Sequence, residues 1–140
     1  GEVDAAIDEV FRRYKVIRMY VDPRHWETQA DAWAQRHGED VVIQWPTNSI
    51  GRMYPALVRY REDLAGGLST HEPDETYTTH ALSARKVAKP GDKYILGKPS
   101  EHMKIDILMS DILSHEAAAD ARAAGWTATP TRHKLIHFRR

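Results

Sequence analysis

Val16-Ile17-Arg18-Met19-Tyr20-Val21 runs directly into Asp22-Pro23. Apart from Arg18, the residues before the aspartate are β-branched, aromatic or otherwise apolar, as in a strand covered on both faces. Proline cannot donate to a further rung of a ladder. The stretch therefore predicts a largely buried strand that stops at Asp22. Upstream, Val3, Ala6, Ile7, Val10, Phe11 and Tyr14 fall on one helix face. Downstream, Trp26, Ala30, Trp33, Ala34 and His37 repeat at helical spacing, with Gly38 as a C-cap. Residues 41–45 form a second short strand ended by Pro46. Asn48 or Ser49 caps a third helix with the stripe Ile50, Met53, Tyr54, Leu57, Val58 and Leu64, closed by Gly66-Gly67. The order helix, strand, helix, strand, helix predicts an α/β domain with a short, mainly parallel sheet flanked by helices. Beyond it, residues 69–75 are loop-like and residues 78–87 are a short helix. Residues 93–97 are a third strand, and a long C-terminal helix runs from 101 to 124, capped by Ser100 and ended by Gly125. Leu135, Ile136 and Phe138 suggest a last short strand.

The 140 residues carry 20 Lys and Arg against 20 Asp and Glu, so the formal net charge is zero. A globally basic nucleic-acid coat and an acidic disordered tail are both excluded. Hydrophobic residues at 41% and charged residues at 29% suit one globular domain. The absence of cysteine removes disulfide scaffolds, thiol catalysis and Cys-ligated zinc together. The longest uncharged run, 41–51, is too short to span a bilayer. The opening GEVDAAIDEV has acids where a secretory leader would be basic, so a soluble, cytoplasmic location is expected. Charge is nevertheless segregated. Glu62, Asp63, Glu72, Asp74 and Glu75 crowd residues 62–84, which hold no Lys or Arg. Arg85, Lys86, Lys89, Lys93, Lys98 and Lys104 follow, against Asp92 and Glu101. Residues 1–126 form the folded part and residues 127–140 a basic tail. Such segments either face solvent or meet phosphate.

Two carboxylates stand out. Asp22 ends the best strand, and sites in open α/β sheets form outside the carboxyl ends of strands. It is also placed to cap the following helix. Asp106 lies near the start of the last helix. At about 100° per residue it falls at the edge of the stripe defined by Ile105, Leu108, Met109 and Ile112, on the side of His102 and Leu113. Asp111 falls about 140° further round and reads as solvated. Asp106 equally suits a first-turn acid complementing the helix dipole. Carboxylates converging from different elements hold hard divalent ions, and two such ions about 3.5–4 Å apart drive in-line attack on a phosphodiester. His71 and His80 flank the acidic loop and can approach such a site. The H-E-x-x-H motif is absent, and Gly97-Lys98-Pro99-Ser100 lacks the spacing of a phosphate-binding P-loop.

Tyr20-Val21-Asp22-Pro23-Arg24-His25-Trp26 resembles the YDP…W segment in the C-terminal nuclease domain of tailed-phage large terminase subunits, closest to those of actinobacterial phages and prophages. Met53-Tyr54-Pro55-Ala56 is similar to their M-x-x-A helix, and Gly67-Leu68-Ser69-Thr70-His71 to their G-x-L-x-H turn. His80-Ala81-Leu82-Ser83-Ala84 resembles H-x-x-N-A, with Ser83 where Asn is usual. Residues 98–106, which end in Lys104-Ile105-Asp106, resemble the K-x-x…KID motif that opens the last helix. The motifs run in order over about residues 10–125.

The resemblance implies a partial ribonuclease H-like fold. It implies a metal-dependent endonuclease cutting double-stranded DNA during genome packaging in the bacterial cytoplasm, as a phage or prophage product. The family's three acids hold two Mg²⁺ or Mn²⁺ ions. Asp22 matches the second acid and Asp106 the third, and the first would lie on a strand ahead of residue 1. Arg24, Lys98 and Lys104 would meet phosphates, with His71, His80 and His102 at the margin of the site. With two of three ligands, the chain is expected to bind metal weakly and to cut little by itself. The alternatives are a non-catalytic module binding DNA or a partner protein, and a hydrolase of small phosphate esters.

Lacking the preceding strands, the strand at 16–21 would expose an edge that invites pairing with another chain or a second copy. Sedimentation over a wide concentration range is expected to show a dimer. A strictly monomeric species throughout would contradict this.

Overall fold

The computed structural model describes residues 1–128. From residue 129 on, the basic tail and the strand expected at Leu135, Ile136 and Phe138 lie outside the described residues. The elements are α1 (Glu2–Arg13), β1 (Met19–Val21), α2 (Glu27–His37), β2 (Val42–Gln44), α3 (Ile50–Ala65), α4 (Glu75–Ser83), β3 (Arg85–Lys89), β4 (Lys93–Gly97) and α5 (Asp106–Ala123). β1 and β2 pair in parallel, with Met19 opposite Val42 and Val21 opposite Gln44. β3 and β4 pair antiparallel, from Arg85 opposite Gly97 to Lys89 opposite Lys93. The class is mixed α/β, as expected.

Among the described residues the strands do not form a single, mainly parallel sheet. β4 lies where the third strand was expected, but it pairs with β3 in a separate hairpin. The turn explains this, because Gly91 and Asp92 take left-handed φ angles of 77° and 56° and fold the chain straight back. The helix expected over 78–87 is correspondingly displaced. Asp74 accepts from the Tyr77 amide at 2.6 Å and starts α4 earlier, and Val87 belongs to β3. At Gly97 a Cβ would stand 2.7 Å from Val87 Cγ2, so a larger residue here requires the Val87 side chain to shift.

The last helix also starts later than expected. Residues 101–103 form a turn, 104 and 105 are irregular, and α5 begins at Asp106. Its N-cap residue, Ile105, has no side-chain acceptor. His80 on α4 serves instead, its Nδ1 accepting the Ile107 amide at 3.1 Å. The core lies mainly between α3 and α5. Met53 and Ile112 are fully buried, surrounded by Trp45, Ala56, Leu57, Tyr60, Leu108 and Leu113. Each large side chain buried here stabilises the fold by about 1.5–3 kcal/mol.

Burial departs from the apolar pattern in two places. β1 is three residues long and half-buried, and among the described residues it pairs on one edge only. The apolar face of α1 is no core face either: Val3, Val10 and Tyr14 are 46%, 42% and 60% exposed. Polar and stacking contacts hold α1 on α2. Trp33 Nε1 donates to Asp4 Oδ1 at 2.8 Å, Asp8 lies 2.8 Å from His37 and 3.1 Å from Arg36, and the Phe11 and His37 rings stack at 3.9 Å. No helix among the described residues is long and apolar enough to cross a membrane.

Asp111 is the third departure. Its helix face turns away from the apolar stripe, yet it is half-buried because α4 packs on that side of α5. The Tyr60 hydroxyl donates to Asp111 Oδ2 at 2.5 Å. The Tyr77 hydroxyl joins the same group, 2.5 Å from the Tyr60 oxygen and 3.3 Å from Asp111 Oδ2. Burial, then the neighbouring carboxylate, pushes the Tyr60 phenol far above its ordinary range. This cluster ties α3, α4 and α5 together. Tyr60→Phe is expected to lower unfolding free energy by about 1.5–3 kcal/mol in chemical denaturation, with a smaller loss for Tyr77→Phe.

Candidate functional site

Because β1 and β2 run parallel, both release the chain at the same end of the sheet. Asp22 follows β1, and Trp45-Pro46-Thr47 follows β2. Thr47 Oγ1 accordingly donates to Asp22 Oδ2 at 2.5 Å, and the Arg24 amide donates to Asp22 Oδ1 at 3.2 Å. Asp22 does not cap α2, whose N-cap position is occupied by Trp26. Instead, the Trp26 amide donates to the Pro23 carbonyl at 2.8 Å and closes a tight turn. Within that turn His25 takes a left-handed φ of 69°, an uncommon conformation for any residue but glycine. The turn brings the side chains of Asp22, Arg24 and Trp26 to the wall of one cleft.

The opposite wall comes from α5, which runs antiparallel to β1. Residues 16–18 face Ser114, Ala117, Ala118, Ala121 and Trp126, whereas Met19 to Asp22 face Asp106, Met109, Ser110 and Leu113. The Tyr20 hydroxyl donates to Asp120 Oδ2 at 2.5 Å and pins strand to helix. Burial, then this carboxylate, raises the Tyr20 phenol above its ordinary value. The start of α5 thus meets the end of β1, and Asp22 and Asp106 line the same cleft of about 410 Å³. Asp106 is exposed and accepts no hydrogen bond among the described residues. As the first residue of α5 it also complements the positive end of the helix dipole. Arg24 is exposed and makes no ion pair among the described residues.

Asp22, Asp106 and Arg24 therefore come together. The other residues singled out from the sequence do not line the cleft. Lys98, His102 and Lys104 are exposed on the connection between β4 and α5. His71 lies in the loop before α4, with Nδ1 2.9 Å from the Glu72 carbonyl and its ring 4.0 Å from that of Tyr77. His80 is committed to the start of α5. Thr47, Ser110 and Trp33 join the site without having been singled out for it. Thr47 was detectable in principle, since the residue after the proline that ends one parallel strand neighbours the residue that ends the other. Trp26 fitted the helical stripe of α2, but it stands at the helix boundary, half-exposed, instead of inside a core face.

Two carboxylate ligands suit one hard divalent cation, because Mg²⁺ commonly takes one or two protein carboxylates and completes its shell with water or substrate phosphate. Among the described residues, no group of three or more His, Cys, Asp or Glu is placed to hold a metal. The buried carboxylate of Glu116 lies elsewhere, on the far side of β1. It pairs with Arg59 at 2.9 Å, and burial pushes its carboxyl above the usual range despite that partner. Comparison with protein-family models, curated proteins and solved structures returns no match to this chain.

Thr47→Val removes the hydroxyl that orients Asp22. It is expected to cost about 1–2 kcal/mol of stability, measured by denaturant unfolding, and Thr47→Ser should restore most of the loss.

Proposed function

We propose that the chain is part of a ribonuclease H-like nuclease, the nuclease domain of a tailed-phage or prophage large terminase subunit. Its reaction is metal-dependent cleavage of double-stranded DNA during genome packaging in the bacterial cytoplasm. The observation that carries the proposal is that Asp22 and Asp106 line one cleft at the carboxyl end of β1. These are the two acids that the terminase motifs single out, and distant parts of the chain supply them.

Asp22 and Asp106 would hold Mg²⁺ or Mn²⁺ in this reading. Such an ion supplies Lewis acidity at a phosphoryl oxygen and activation of water. The protein's own part is positioning. Thr47 and the Arg24 amide orient the Asp22 carboxylate, and the first turn of α5 carries Asp106. Arg24 meets the phosphate at the cleft, and Lys98 and Lys104 extend the contact along the backbone. Contacts of this kind position DNA without reading its sequence. The third acid of the set comes from another stretch of polypeptide. The edge of β1 that lacks a partner among the described residues is where a further strand, or another copy of the chain, adds.

A second reading is a non-catalytic module that binds DNA or a partner protein. Both acids have structural employment that favours it: Asp22 is hydrogen-bonded at both oxygens, and Asp106 starts a helix. The hairpin displays Arg85, Lys86 and Lys93 on the surface, ready to meet an acidic ligand.

Divalent-ion titration separates the two. Under the nuclease reading, Mn²⁺ or Mg²⁺ raises the melting temperature slightly at millimolar concentration, and Asp22→Ala or Asp106→Ala abolishes the shift. Supercoiled plasmid is cut little or not at all by the chain alone. Robust cutting abolished by either substitution would show a site complete without further residues. Cutting indifferent to both would remove these acids from the site. No shift, with DNA binding unchanged in both variants, would establish the second reading.

A further inference from the structure

We infer that the cleft holds an unpaired nucleotide with its base stacked on Trp26, so that the DNA is locally single-stranded where it meets Asp22 and Asp106. This rests on the nucleic-acid reading of the cleft and adds the conformation of the bound strand.

Trp26 is 39% exposed, although it is among the largest apolar side chains in the protein. It is not loose. Trp33 backs it, with ring centroids 5.9 Å apart and the planes inclined by 27°. Trp33 is 3% exposed and anchored through Nε1 to Asp4 at 2.8 Å. The uncovered part of Trp26 is therefore a held aromatic surface on the wall of a cleft lined by apolar residues with Asp22, Arg24, Asp106 and Ser110 among them. The tight turn closed by the Trp26 amide places Arg24 and Trp26 on the same cleft wall, while Ser110 and Asp106 line it from α5.

These groups match the parts of a nucleotide: a π face for the base, a hydroxyl-bearing wall for the sugar and a cation for the phosphate. A volume of about 410 Å³, near the lower end for small-ligand sites, is of the size that one nucleotide unit fills. A base inside a duplex is covered on both faces by its neighbours. It can offer a face to an indole only when it leaves the stack. Phosphate binding alone would need Arg24 and would leave the exposed indole without a role.

The test uses the whole chain in EDTA, so that no cleavage or metal binding enters it. Labelled oligo(dT), a blunt duplex of the same length and a duplex with a central mismatched bubble are titrated. Oligo(dT) and the bubble are expected to bind about tenfold more tightly than the duplex, the contribution of roughly one stacked base. Trp26→Ala should bring oligo(dT) down to the duplex level, and Trp26→Phe should keep most of the advantage. Because Trp26→Ala uncovers Trp33 and can disturb folding, the native chain is also photo-crosslinked to an oligonucleotide carrying 5-iodouracil. The adduct is expected on Trp26 by mass spectrometry. Equal affinity for duplex and oligo(dT), an undiminished preference in folded Trp26→Ala, or adducts confined to other residues would each overturn the inference. If the base site holds while Asp22 and Asp106 fail to bind Mn²⁺, the nuclease reading alone falls. If they bind Mn²⁺ and oligo(dT) gains nothing, the stacking inference alone falls.

Discussion

The antiparallel docking of α5 on β1 and α3 is the constraint on which the remaining structure depends. Ile112 and Met53 are buried completely in the α3–α5 seam, and Leu108 and Leu113 close it around them. With that seam set, the direction of α5 relative to β1 is set as well, and Tyr20 and Asp120 lock it with a hydrogen bond. A helix laid antiparallel to a strand must bring its first turn to the strand's last residue. The cleft between Asp22 and Asp106 is a geometric consequence of core packing.

The strands contribute little area, so the helices carry the stability and polar ties complete their seams. Tyr60 and Tyr77 converge on Asp111, His115 lies 2.8 Å from Asp63, and Arg59 reaches the buried Glu116. These groups are partly or wholly removed from water, and an unmatched polar atom there is costly. The α1 helix stands outside this arrangement. It is held on α2 by Asp4, Asp8 and a ring stack, and much of its apolar face stays open. Among the described residues α1 keeps an open apolar face and β1 pairs on one side only.

Some of this was legible in the residues themselves. The ends of α2 and β2, the end of α3 and the span of β4 follow from Gly38, Pro46, Gly66-Gly67 and Pro90-Gly91, because caps and breakers act within a few bonds. Ser49 holds the N-cap position of α3 without a side-chain capping bond. Misreadings arose where a distant partner decided. The start of α5 waits for His80 of α4, the Asp111 face is buried by α4, and β4 turns back onto β3 instead of joining β1. The apolar period of α1 correctly gave a helix, but periodicity says nothing about whether a facing surface exists to cover it.

For the site the division is sharper. Asp22 was identifiable as the acid at the end of a strand, and Asp106 as an acid near a helix start, since each signal lies within its own element. Their sharing of a cleft, the Thr47 hydroxyl on Asp22 and the half-exposed Trp26 backed by Trp33 came from the tertiary structure alone. Sequence by itself determines which residues can end a strand, cap a helix or turn a chain, because those are contests between neighbouring dihedrals and hydrogen bonds. Which of these ends meet is decided by the burial of side chains far apart in the chain, and that becomes definite only when α5 closes over β1.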